Sequence, residues 1–173
     1  HRLMDAAAID CLKTELLPLA DLLTPNLPEA AVLLGQELTA LGDMAAAGQG
    51  LLNLGCRAVL VKGGHLAETQ GAQGDVSPAE ASPDVLVTPD LTREFPGERF
   101  DTPHTHGTGC SLSSAIAAGL ARGLPLAEAV GRAKTYVATG IRHGLAIGGG
   151  HGPIHHFWDL YGGEELIQKE ATS

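Results

Sequence analysis

Positive charge is scarce in this chain: Lys and Arg number 11 against 20 Asp and Glu, a net charge of −9 over 173 residues. That balance excludes nucleic acid and an anionic membrane as main partners, because both recruit basic surfaces. A small anion held in a local pocket remains compatible with it. Long apolar runs are missing too, and none approaches the roughly 18 residues of a membrane span. The start, His1-Arg2-Leu3-Met4-Asp5, lacks the apolar stretch of a secretory signal. Cysteine is limited to Cys11, Cys56 and Cys110, with no C-x-x-C pair. An odd, scattered set of thiols fits a reduced, cytoplasmic protein rather than a disulfide scaffold. Two nucleotide fingerprints are absent, G-x-x-x-x-G-K-[ST] and G-x-G-x-x-G after a strand. His104, His106, His151, His155 and His156 are not arranged with zinc-type spacing.

What is present is an alternation of helical and extended signals, in a length that fits one domain with a real core. Residues 5–19 place Ile9, Leu12, Leu16 and Leu17 on one helical face. The apolar run 21–24 suits a buried strand stopped by Pro25, and Pro28 is placed to start a helix over 29–34. A helix over 42–54 is closed by Gly55. Strands follow at 57–62, broken by Gly63-Gly64, and at 84–88, with an edge strand within 94–100. Between them, 66–83 reads as a polar, exposed connection. Two helices close the pattern, one ending at Gly123 and one running from near Pro125 to about His143. The expected class is therefore α/β, with a mostly parallel sheet flanked by helices. The chain starts without Met and enters a helix with no strand before it, which reads as a cut from a longer protein.

Chemistry concentrates in Thr105-His106-Gly107-Thr108-Gly109-Cys110-Ser111, directly before a run of small helix-forming residues. Glycines ahead of a helix let unpaired N–H groups converge, and the helix dipole adds positive charge. The product is an anion hole suited to a phosphate. Cys110 stands at its mouth, where a helix N-terminus favours the thiolate. Two other motifs follow expected strands, Asn26 with Glu29, and Lys62-Gly63-Gly64-His65. In an α/β sheet such strand ends are where ligands gather. Phosphoryl transfer needs donors around the phosphate, a metal and a base; the glycine loop, the Asn26/Glu29 oxygens and Cys110 match those needs, with Lys62 reaching a phosphate. Each motif has a plainer reading as well. Asn26 and Glu29 serve as a helix cap, Lys62 as a solvated strand end, Cys110 as a small packing residue, and the glycines as a tight turn. Cys110 beside His106 also reads as a hydrolase nucleophile.

The run from Thr105 to Ala117 closely resembles the C-terminal signature of the hydroxymethylpyrimidine/phosphomethylpyrimidine kinases of thiamin biosynthesis, members of the ribokinase-like superfamily. Leu23-Thr24-Pro25-Asn26-Leu27-Pro28-Glu29-Ala30 resembles that family's Asn-x-x-Glu motif. Val59 to His65 and Gly150-His151-Gly152-Pro153-Ile154 are similar to it in the expected order. The resemblance implies a single partial ribokinase-like domain over residues 1–173, the nucleotide-binding and catalytic half, with the N-terminal part of the domain missing. It implies ATP and Mg²⁺ as cofactors and a pyrimidine alcohol, or its monophosphate, as substrate. Gly107, Thr108 and Gly109 would form the anion hole and Cys110 would be the base, where most of the superfamily carries Asp. Asn26 and Glu29 would organise Mg²⁺ and phosphate, and Lys62 would contact ATP. The expected assembly is a homo-oligomer, a dimer. Pyridoxal-type kinase and a non-catalytic nucleotide-binding fragment are the alternatives.

Overall fold

A computed structural model describes residues 4–64, 83–98, 100, 102, 105–144, 150 and 152–160. The connection expected at 66–83 therefore lies outside the described residues, apart from Pro83, as do His65, His104 and His151. The chain divides into two compact units, His1–Arg99 and Phe100–Ser173.

The first unit begins with helix α1 (Ala6–Cys11), capped by the Asp5 carboxylate accepting from the Ala8 N–H at 2.8 Å. The helical path continues to Leu19 but changes its winding, with a π-helical turn over Leu12–Leu16 and a 3₁₀ turn over Leu17–Leu19. Pro18 supplies the reason: it lacks an N–H and its ring crowds the preceding turn, so the regular α pattern cannot pass through it. The Leu17 N–H bonds five residues back to the Leu12 carbonyl. Helix α2 (Leu27–Leu34) and helix α3 (Met44–Leu52) follow. The strands are β1 (Val59–Lys62), β2 (Asp84–Val87) and β3 (Thr92–Phe95), in the order β1-β2-β3.

Strand direction differs from the sequence expectation. β1 pairs antiparallel with β2, Val59 opposite Val87 and Lys62 opposite Asp84, and β2 pairs antiparallel with β3. The β2–β3 connection is only residues 88–91, too short for the crossover a parallel pair requires. Parallel pairing survives on the other border of β1, at the bridges Leu23↔Val59 and Asn26↔Lys62. There the Leu23 N–H bonds the Ala58 carbonyl, and the Leu60 and Lys62 N–H groups bond the Leu23 and Pro25 carbonyls at 2.7 and 2.8 Å. The run expected as a strand at 21–24 is thus an extended border of bridges.

Alternation decides the core. Val59, Val61, Val85 and Val87 meet Leu27, Ala30 and Leu33 of α2 and Met44, Ala47 and Leu51 of α3 in one buried cluster. Leu60 and Leu86, which alternate to the opposite face, are fully buried as well. A strand buried on both faces reads as a continuous apolar run, which is why its direction is invisible in sequence.

The second unit holds helix α4 (Thr108–Ala121) and helix α5 (Leu126–Arg142), joined by residues 122–125. Leu112 and Ile116 of α4 and Ala129, Val130, Ala133 and Val137 of α5 are among its buried apolar residues. The helices approach closely at Gly119, where an added Cβ would stand 3.0 Å from that of Ala129. Ile154 is buried against α5, and the His155 N–H bonds the Gly140 carbonyl at 2.9 Å. No helix among the described residues is long and apolar enough to cross a membrane.

Candidate functional site

The start of α4 is set by Gly107, whose φ of 82° and ψ of 2° lie in the left-handed region. Glycine, with no Cβ, takes that conformation at no steric cost. It turns the chain so that the helix begins at Thr108, four residues earlier than the small-residue run suggested. The Thr108 N–H reaches back to the Thr105 carbonyl at 3.3 Å, and the Ser111 N–H to the Gly107 carbonyl at 2.9 Å. Between them, the Gly109 and Cys110 amides bond no other described backbone group, as the first turn of any helix requires. The hydroxyls of Ser111 and Ser113 donate to the Gly107 and Gly109 carbonyls at 2.8 and 3.0 Å. Carbonyl oxygens are thereby occupied while the two amides stay available. A Cβ built on Gly107 meets no described atom within 4 Å.

Cys110 is a free, exposed thiol at this helix start. It stands at the border of a groove of about 570 Å³ between α4 and α5, which Ser114, Ala118, Arg122 and Tyr136 also line. His156 lines it too; its Nδ1 lies 3.0 Å from the Tyr136 hydroxyl, which donates to the His156 carbonyl at 3.1 Å. Arg132 in the same lining is paired with Glu128 at 2.7 Å.

In the first unit, Asn26 and Glu29 form a reciprocal cap on α2. Asn26 Oδ1 accepts the Glu29 N–H and Glu29 Oε2 accepts the Asn26 N–H, both at 2.8 Å. This realises the capping reading of the pair. Glu29 is also exposed. Among the described residues no three His, Cys, Asp or Glu come together as a metal cage. A single exposed carboxylate nevertheless fits Mg²⁺, which keeps most of its waters and is held by one or two carboxylates plus substrate phosphates.

Lys62 is the last residue of β1 and half-buried. It is bracketed by Asn26 on the parallel side and Asp84 on the antiparallel side. Asn26, Glu29 and Lys62 are thus gathered at one end of β1, and Gly107, Thr108, Gly109 and Cys110 at the start of α4. Asp84 escaped the sequence reading because it looked like the first residue of a strand; only its burial and its bond to Gly63 single it out. Tyr136 escaped, and His156 was weighed only for zinc-type spacing, because 20 residues separate the two.

Residues 1–155 match the phosphomethylpyrimidine kinase family. The chain belongs to that family. A hydroxymethylpyrimidine/phosphomethylpyrimidine kinase of Rhizobium meliloti is 44% identical over 155 residues, which are 87% of this chain and 53% of that protein. The solved pyridoxal kinase from Staphylococcus aureus in complex with AMP-PCP and pyridoxal superposes with a TM-score of 0.79 at 30% identity, over 92% of this chain and 57% of that one. The phosphomethylpyrimidine kinase from Clostridium difficile superposes with a TM-score of 0.61 at 34% identity, over 79% of this chain and 50% of that one. The fold of this phosphomethylpyrimidine kinase family member is ribokinase-like. The chain spans about half the length of the curated relatives it matches.

Proposed function

We propose that this chain carries out ATP- and Mg²⁺-dependent phosphorylation of 4-amino-5-hydroxymethyl-2-methylpyrimidine and of its monophosphate, as a single partial ribokinase-like domain over residues 1–173. The observation that carries the reading is the start of α4. A left-handed Gly107, two amides unbonded among the described backbone groups and an exposed thiol occur together there, within a match to a kinase family over residues 1–155.

Mg-ATP supplies the transferable phosphoryl group and the metal charge beside it. The chain's own part is electrostatic and protonic. The Gly109 and Cys110 amides donate to an anion and gain from the helix dipole. Each such donor, where charge develops in the transition state, is worth about 3 kcal/mol. Cys110 Sγ is the base that takes the hydroxyl proton of the alcohol. Lys62 sets an ammonium against nucleotide phosphate, and Glu29 offers its exposed carboxylate to the metal or its waters while Asn26 holds the start of α2. Three free cysteines fit a reducing, cytoplasmic setting, and a homodimer is the assembly we propose.

A second reading, pyridoxal phosphorylation, is favoured by one observation: the Staphylococcus aureus pyridoxal kinase superposes with the higher TM-score, 0.79 against 0.61 for the Clostridium difficile enzyme. The greater sequence identity lies with the pyrimidine kinases, 44% against 30%, and identity governs the first reading. Turnover on the two alcohols in parallel with Mg-ATP decides. Faster phosphorylation of the pyrimidine is expected; a preference for pyridoxal would overturn the pyrimidine assignment.

A further inference from the structure

Asn26, Lys62, Asp84 and Phe95 form one row across the sheet, linked by the parallel bridge Asn26↔Lys62 and the antiparallel pairs Lys62↔Asp84 and Asp84↔Phe95. Residues paired in such a row share a face of the sheet. Within it, Asp84 is out of place. It is only 7% exposed, in a strand whose four residues are all buried. A buried carboxylate is retained only where it is bonded, and its Oδ1 accepts the Gly63 N–H at 3.1 Å. That bond crosses from β2 to the residue immediately after Lys62.

The neighbouring backbone tightens the same spot. A Cβ at Gly63 would overlap the Pro83 carbonyl oxygen, so glycine is required for the close approach of the two chains. Residues 83 and 84 therefore grip the turn after β1 from two directions, by contact at Pro83 and by a charge-assisted hydrogen bond at Asp84. Lys62 itself makes no ion pair among the described residues, so nothing of its own holds its ammonium in place. Its backbone is held by the pairings on either side.

We propose that Asp84 is a positioning residue: by fixing the Gly63 amide, it holds the Lys62-Gly63-Gly64 turn in the conformation that presents Lys62 to the phosphates of a nucleoside triphosphate. The inference rests on the reading of Lys62 as a nucleotide contact. It assigns Asp84 no contact with the ligand.

The test uses the full chain with Mg-ATP as probe, and the variants Asp84→Ala, Asp84→Asn and Lys62→Met. Mg-ATP affinity is read by calorimetry, and amide hydrogen exchange at Gly63 by NMR. Asp84→Ala is expected to expose the Gly63 amide to exchange and to weaken Mg-ATP about tenfold, as Lys62→Met does. Asp84→Asn keeps an acceptor oxygen and should stay within about threefold of the unsubstituted chain, with Gly63 still protected. A purely structural Asp84 would lower the melting temperature in both variants without changing the affinity of the folded protein, and that result overturns the proposal. Unchanged affinity in Asp84→Ala beside a loss in Lys62→Met overturns it and leaves Lys62 standing. Unchanged affinity in both, or no binding by the unsubstituted chain, removes the reading of Lys62 and the proposal together.

Discussion

Replacing Gly107 isolates what the glycine loop contributes. Its φ of 82° puts any L-residue in the left-handed region, and no atom of the described residues lies within 4 Å of a built Cβ. Crowding by protein atoms is therefore not the mechanism, although the glycine-threonine-glycine spacing invites that reading. The cost is conformational: about 1–2 kcal/mol for alanine, and more for β-branched valine, whereas asparagine enters this region readily. If the strain stays in place it lowers stability, by about 2–4 °C in melting temperature for each kcal/mol in a chain of this size. If the turn rotates to relieve it, stability is spared and the Gly109 and Cys110 amides lose their alignment, which costs phosphoryl transfer about 100-fold or more where a donor is lost outright. The two losses trade against each other, so both are measured, by thermal denaturation and by Mg-ATP-dependent transfer. Summed as free energies they should rise in the order Gly107→Asn, Gly107→Ala, Gly107→Val. Side-chain size gives a different order, with alanine mildest. Finding alanine milder than asparagine would refute the backbone argument.

Two further outcomes follow from the same geometry. Asn26→Ala removes the acceptor for the Glu29 amide and should cost about 1 kcal/mol in chemical denaturation, while Asn26→Asp preserves the cap and should cost little; equal losses would deny the cap its role. Burial pushes the Cys56 thiol up in pKa, and its Sγ donates to the Leu51 carbonyl at 3.2 Å. Iodoacetamide at neutral pH should therefore label exposed Cys11 and Cys110 well before Cys56, by peptide mass mapping, and labelling of Cys56 in step with them would contradict the packing of the first unit.

Helices were the more legible part of this fold, because their caps and breakers act locally. Asn26 with Glu29 three residues on, Pro28 and Gly55 announce ends that the structure realises within a few residues. The π-helical turn before Pro18 was not legible, since proline marks a break without saying how the chain accommodates it. Strand direction was hidden for another reason: β1 and β2 are buried on both faces, and an apolar run reads the same in a parallel or antiparallel ladder. The candidate site divides the same way. Gly107 to Cys110 forms a contiguous motif whose chemistry is set by being next to a helix, so it could be read directly. Asp84 matters through a partner 21 residues away, and only the folded register of β1 on β2 brings the two together. Lys62 lay between, visible as a strand end but without its bracketing neighbours.

The most direct test of the account is alcohol-dependent phosphoryl transfer by the chain itself. Mg-ATP and hydroxymethylpyrimidine are incubated with the unsubstituted protein and with Cys110→Ala, and phosphorylated pyrimidine is counted apart from free phosphate. The account predicts product with the unsubstituted chain, and in Cys110→Ala a loss of about 100-fold or more, the range of general-base catalysis, with Mg-ATP affinity retained. Undiminished product in Cys110→Ala, or ATP consumed without phosphorylated alcohol, would contradict it.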